Sequence, residues 1–192
     1  MKTAELRDAI REHAYLEGDF VLRSGRRSSY YLDKYRFETR PDLLEPIAAR
    51  LADLVSEHEP EADRLAGPEL GAVALAAAAS LASGLPFLIV RKDPKGYGTD
   101  NRLEGMFEPG ERACLIEDVV TSGGAAVAAV EALREAGLEC RTAVCVVDRE
   151  EGGVDELARH GVRLWPLFRA GELLERSKSA ANRMVEPKRD RC

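Results

Sequence analysis

The sequence predicts an α/β fold, a five-stranded parallel sheet flanked by helices, with a small N-terminal lobe in front of it. Short, continuously apolar runs alternate with helix-period segments from residue 63 onward, the pattern of strands buried on both faces. Between the runs lie glycine, proline and polar stretches that turn the chain. Three stretches carrying glycine or acid, "GPELG" (67–71), "EDVVTSGGA" (117–125) and "DREEGG" (148–153), fall where such strands end. Open parallel sheets bind ligands at that carboxyl edge.

The elements follow in order. Residues 3–15 read as a helix, with Leu6, Ile10 and Ala14 on one face. "DFVLRSGRRSSYYLD" (19–33) places short apolar and aromatic runs around a Ser-Gly-Arg-Arg-Ser turn, which predicts a hairpin. The segment 40–58 is expected to be helical only after Pro46, because proline is tolerated in a first turn but not deeper. The strands are expected at "DRLAG" (63–67), "PFLIV" (86–90), "RACLIED" (112–118), "ECRTAVCVVD" (139–148) and "VRLWPLF" (162–168). Helices are expected at 69–84, stopped by Gly84, at 124–137 and at 154–161, and the polar end from 177 to 192 reads as loosely ordered.

Composition narrows the function. A chain of 192 residues, 45% hydrophobic, can bury a substantial core. With 28 Lys+Arg against 34 Asp+Glu the balance is acidic, which argues against nucleic acid as a partner. No apolar stretch approaches the roughly 20 residues of a membrane span, and the start, "MKTAELRDAIREHAYL", is an amphipathic helix rather than a signal peptide. A cytoplasmic protein is expected. Cys114, Cys140, Cys145 and Cys192 form no CxxC pair and read as reduced thiols. Cys140 and Cys145, five apart in one strand-like run, are expected on opposite faces.

The central run "LIEDVVTSGGAA" (115–126) ends a strand on two acids and opens a helix through a hydroxyl-and-glycine turn. Successive backbone N–H groups in such a turn, with the positive end of a helix, suit a phosphate. Glu117 and Asp118 repel phosphate. They suit sugar hydroxyls, or nearby positive charge met directly or through the water shell of a metal. A ribose 5-phosphate has both halves. The chain carries no GxGxxG after a strand and no GK[ST], which disfavours a dinucleotide fold and a P-loop NTPase.

"CLIEDVVTSGGA" resembles the phosphoribosyl pyrophosphate (PRPP) signature of the type I phosphoribosyltransferases. Together with "FVLRSGRRSSYYLD", "GPELG", "RKDPKGYGTDNRLEG" (91–105) and "VVDR", the chain from about 15 to 150 resembles the orotate phosphoribosyltransferase family. The resemblance implies a type I phosphoribosyltransferase-like fold over 1–192, with hood elements at about 15–35, a core at about 40–170 and a tail at about 177–192. It implies transfer of the phosphoribosyl group from PRPP to orotate in pyrimidine biosynthesis, with Mg²⁺ carried by PRPP and no direct metal ligand. Glu117 and Asp118 would take the ribose hydroxyls, and Val119, Val120, Thr121, Ser122, Gly123, Gly124 and Ala125 would wrap the 5-phosphate. Thr121, Arg149, Tyr31 and Arg23 would meet orotate, Arg149 through its carboxylate.

The stretch 91–105 is locally basic and rich in glycine, which suits a closing loop. By the resemblance, Arg91, Lys92, Lys95 and Tyr97 would reach pyrophosphate, partly across a homodimer interface, with Lys95, Arg91 and Asp118 catalytic. Many relatives carry histidine where Tyr97 stands, and "GPELG" lacks a lysine that some carry beside the pyrophosphate. No histidine acid is expected, since His13, His58 and His160 lie in helical segments. A phosphoribosyltransferase for another base and a PRPP-sensing regulator are the alternatives.

Overall fold

A computed structural model describes residues 1–21, 25, 27–93 and 102–174. In chain order the elements are α1 (Thr3–Ala14), β1 (Tyr15–Val21), β2 (Arg27–Leu32), α2 (Tyr35–Glu38), α3 (Pro41–His58), β3 (Arg64–Pro68), α4 (Gly71–Ser83), β4 (Phe87–Val90), β5 (Leu103–Glu104), β6 (Ala113–Val120), α5 (Gly124–Glu135), β7 (Thr142–Asp148), α6 (Gly153–Arg159), β8 (Arg163–Arg169) and α7 (Ala170–Leu174). None of these helices is long and apolar enough to cross a membrane.

β1 and β2 form the antiparallel hairpin of the N-terminal lobe. The main sheet runs β5-β4-β3-β6-β7-β8. Its five expected strands are parallel, and the two-residue β5 adds an antiparallel edge against β4. That edge lies inside the segment expected to be entirely loop. A pair of residues is too short for a periodic signal, and it pairs because Arg91 N–H donates to the Arg102 carbonyl at 2.7 Å, drawing the two ends of the segment together.

The alternation of the strands divides the core. Cys114 and Ile116 of β6, with Val144 and Val146 of β7, face a layer built by Leu6 and Ile10 of α1, Ile47, Leu51 and Val55 of α3, and Leu75 and Ala79 of α4. Ala113, Leu115, Ala143 and Cys145 face the opposite layer, where Ala126, Val130 and Leu133 of α5 and Leu157 of α6 cover the sheet. Each fully buried leucine or isoleucine contributes about 1.5–3 kcal/mol relative to exposure. Both faces being covered is why these strands read as continuous apolar runs.

Three expectations are corrected. α3 begins at Pro41 and carries Pro46 inside it. The helix tolerates this because the carbonyl deprived of a partner belongs to Asp42, an exposed residue of the first turn that water can reach. Cys140 and Cys145 share one core layer, not opposite faces. β7 starts only at Thr142, so strand alternation never reaches Cys140. The third parallel strand runs on to Val120, two residues beyond the acids, and Val119 and Val120 continue its pairing against Val147 and Asp148. The tail from 177 lies outside the described residues.

Candidate active site

The strand order reverses direction between β3 and β6. β4 lies on one side of β3, and β6, β7 and β8 follow on the other. α4 packs on one face of the sheet and α5 on the other, so the loops leaving β3 and β6 part and open a crevice at their carboxyl ends. A cavity of about 200 Å³ occupies this place, lined by Lys34, Pro68, Glu69, Gly71, Ala72, Glu117, Asp118, Val119, Val120, Thr121, Gly123, Ala125 and Ala126.

The turn from Thr121 to Gly124 leads from β6 into α5. Gly123 caps the helix with a left-handed φ of 85°, a conformation that costs glycine little. It packs against the loop that opens α6: a Cβ at Gly153 would collide with Val120 and lie 2.6 Å from the Thr121 carbonyl oxygen. The two loops therefore hold each other. The exposed residues Thr121, Ser122 and Gly124 stand at the positive end of a 12-residue helix, an arrangement suited to an anion.

Glu117 and Asp118 are 7% and 4% exposed. Burial and then the Asp118 charge push the Glu117 carboxyl up, Lys34 opposes both, and the net result is about 8. The Lys34 ammonium is hydrogen-bonded to Asp118 Oδ2. Burial alone would lower the lysine, but the charge and hydrogen bond of Asp118 turn its net shift upward. Behind them Glu38, 4% exposed, is raised to about 8 by burial and then by Asp118. The site thus mixes a lysine–aspartate ion pair with two carboxyls that favour the protonated form near neutral pH.

Arg149 follows β7 directly, and its backbone N–H donates to the Val120 carbonyl at 2.9 Å, tying it to the end of β6. Its side chain is 8% exposed, pairs with Glu151 at 3.0 Å and lies 5.0 Å from the centroid of the Tyr30 ring. Tyr30 in turn stacks on Tyr15 at 5.4 Å. The hairpin lobe is therefore docked against the guanidinium.

No protein-family model matches the chain. Curated relatives do. The chain is 50% identical over 157 residues, 82% of its length and 88% of the relative's, to the orotate phosphoribosyltransferase of Methanocella arvoryzae. The chain belongs to the orotate phosphoribosyltransferase family. The orotate phosphoribosyltransferase of Thermococcus gammatolerans is 45% identical over 170 residues, 88% of this chain and 90% of that one. Among solved structures, the Mycobacterium tuberculosis orotate phosphoribosyltransferase in complex with PRPP superposes with a TM-score of 0.74 at 28% identity, over 89% of this chain and 98% of that chain.

In this member of the orotate phosphoribosyltransferase family, most of the signature residues named from sequence meet in one crevice. Glu117, Asp118, Val119, Val120, Thr121, Gly123 and Ala125 line the cavity, and Ser122 and Gly124 complete its turn. Arg149 sits beside it through Val120. Arg91 does not line the cavity: its guanidinium lies 3.8 Å from Glu104, and its backbone anchors the start of the 91–105 segment. The backbone N–H of Lys92 donates to Glu69 at 2.8 Å, which joins that segment to the 67–71 loop. Tyr31 is 42% exposed and tilted against Phe20 at 5.6 Å, whereas Tyr30 is the tyrosine next to Arg149. Lys95, Tyr97 and Arg23 lie outside the described residues.

Sequence reading passed over Lys34 and Glu38, and met Glu69 only as part of "GPELG" (67–71). Lys34 and Glu38 follow a hairpin, Lys34 just before the short α2 and Glu38 as its last residue, with no motif of their own. The one available signal was their place in a lysine- and arginine-bearing stretch immediately after the hairpin.

Proposed function

We propose that the protein transfers the 5-phosphoribosyl group of PRPP to orotate, giving orotidine 5′-monophosphate and pyrophosphate in pyrimidine synthesis. The observation that carries this reading is the switch-point crevice, where the turn 121–125 meets the acids Glu117 and Asp118, with the buried Arg149 tied beside it through Val120.

The backbone N–H groups of 122–125 and the start of α5 hold the 5-phosphate. Glu117 and Asp118 take the ribose hydroxyls, the protonated Glu117 both donating and accepting. Arg149 exchanges its partner Glu151 for the orotate carboxylate, since its planar fork matches either. The C1–O bond then breaks, its electron pair leaves with pyrophosphate, and a ring nitrogen of orotate closes on the anomeric carbon while its N–H proton passes to pyrophosphate or water. Positive charge on the ribose ring is met by the Asp118 carboxylate, and Thr121, Tyr31 and Arg23 complete the base site. Arg91, Lys92, Lys95 and Tyr97 act on pyrophosphate, with Lys95 the principal cation.

The described residues gather no trio of ligating side chains. The hard oxygens of Glu69, Glu117 and Asp118 nonetheless suit the water shell of a Mg²⁺ that arrives on PRPP. When bound, Mg²⁺ supplies positive charge to the pyrophosphate oxygens. A homodimer with the 91–105 segment shared between subunits belongs to the same reading, and a monomer in sedimentation velocity would remove it.

The test is pyrophosphate release with Mg²⁺ and PRPP in the presence of orotate, uracil, adenine or hypoxanthine. Release with orotate alone supports the reading, whereas release with adenine or hypoxanthine in its place makes the protein a purine enzyme. Preorganised charges contribute about 3–4 kcal/mol each, so Lys95→Ala should lower turnover by roughly 100- to 1000-fold with unchanged thermal unfolding.

A further inference from the structure

Lys34 stands between two parts of the crevice. It caps the start of α2, and its ammonium is bonded to Asp118 Oδ2. A Cβ built on Gly71 would run into both that oxygen and the Lys34 Nζ. The absence of a side chain at Gly71 is therefore what lets the lysine enter the notch. Of the described residues lining the cavity, Lys34 is the one cation, against Glu69, Glu117 and Asp118.

A crevice that takes PRPP has to receive a phosphate and a pyrophosphate. The turn 121–125 serves the first through backbone N–H groups. The wall formed by Pro68, Glu69 and Gly71 carries no cation of its own and is joined by Glu69 to the start of the 91–105 segment. Lys34 takes one acceptor position of Asp118 Oδ2, and the Val119 N–H donates to Oδ1, so ribose hydroxyls must compete with the lysine for this carboxylate. One side chain thus competes at the diol site and borders the wall that lacks charge. Its four-carbon stem allows the ammonium to move several ångströms without moving the backbone.

We propose that Lys34 is an exchangeable counter-ion: in the free crevice it neutralises Asp118, and when the ribose hydroxyls of PRPP take Asp118 it passes to the pyrophosphate oxygens. It then acts as a further pyrophosphate-binding residue and stabilises the leaving group by hydrogen bonds, without giving up its proton. Glu38 is buried behind the pair, its Oε1 making no hydrogen bond among the described residues. The inference rests on the PRPP reading of the site.

Equilibrium binding of Mg²⁺–PRPP and of ribose 5-phosphate to the full chain separates the possibilities, because only PRPP carries pyrophosphate. Lys34→Met, which keeps the apolar stem, should weaken PRPP by at least about 10-fold, the scale of a lost charge-assisted hydrogen bond. The same variant should leave ribose 5-phosphate binding unchanged or tighter, since Asp118 is then open to the hydroxyls. KM for orotate should not move, and Lys34→Arg should recover much of the PRPP affinity. Equal losses for both ligands would mean that the lysine only holds the fold together, and unchanged PRPP affinity would mean that it never reaches pyrophosphate. Either result overturns the proposal. If Lys34→Met does not fold, Lys34→Gln, which keeps a donor for Asp118 but no charge, should still weaken PRPP more than ribose 5-phosphate, and equal effects on both would overturn the proposal. An unmodified protein that binds neither ligand would overturn the PRPP reading itself, and this inference with it.

Discussion

At the residue scale the site is arranged around carboxylates that already have partners. Asp118 is held by Lys34 and Arg149 by Glu151, so in the proposed reaction each ligand group enters by exchange rather than into an empty position. An exchanged hydrogen bond contributes less net free energy than a new one, but it avoids leaving a buried charge alone before the ligand arrives. For Arg149 the cost of removing the fork is direct. Arg149→Ala should raise KM for orotate by about 10- to 100-fold, equivalent to a lost charge-assisted pair of about 1.5–3 kcal/mol, while KM for PRPP stays near its original value. Steady-state kinetics with each substrate varied in turn checks this, and a parallel rise in both constants would count against the assignment. The place of Arg149 just beyond a strand was legible in "VVDR", whereas its pairing with orotate rests on the family resemblance and on the reading proposed above. Its partners Tyr30 and Glu151 were not legible, since a cation–ring contact and an exchangeable ion pair leave no spacing signature.

At the scale of elements, the site is the meeting of two turns, one opening α5 and one opening α6. They pack through Gly123 and Gly153, whose close approach leaves no room for a side chain. A Cβ at Gly153 must push the 121–124 turn away from the 150–153 turn. Gly153→Ala should therefore weaken PRPP and orotate together, by about 10-fold or more each for a displacement near 1 Å, with only a modest loss of stability. Titration calorimetry with PRPP, and with orotate in the presence of pyrophosphate, measures both, and a variant impaired for one ligand alone would contradict the coupling. Strand and helix positions in this region were readable because apolar runs and glycine turns act locally. The start of α3 was misjudged at Pro46 because a local rule about proline takes no account of where the freed carbonyl points. The edge strand Leu103–Glu104 was missed because its pairing depends on β4, distant in sequence.

For the whole molecule, burial of acids by the packing of the lobe against the sheet sets a pH response. Glu38 and Glu117 are raised from an ordinary 4.5 to about 8. Between those values the folded protein keeps protons that the unfolded chain has released. Their contribution to stability is therefore complete below about pH 4.5, declines as pH rises, and is exhausted above about pH 8, at a rate of order 1 kcal/mol per pH unit for each group. Urea unfolding from pH 5.5 to 8 should show a falling midpoint, with a shallower fall in Glu38→Gln. A midpoint rising over that range in the unmodified protein would refute the assignment. By itself the sequence determined the parallel sheet, the glycine turn that opens α5 and the acid pair, because apolar periodicity and glycine placement act within a few residues of chain. Only the tertiary structure decided that Lys34, 84 residues before Asp118, shares its crevice. It likewise decided that Glu38 is buried beside that pair and that Tyr30 rather than Tyr31 meets Arg149. Those choices depend on how the hairpin lobe docks on the sheet, and the free energy of that docking comes from surfaces far apart in the chain.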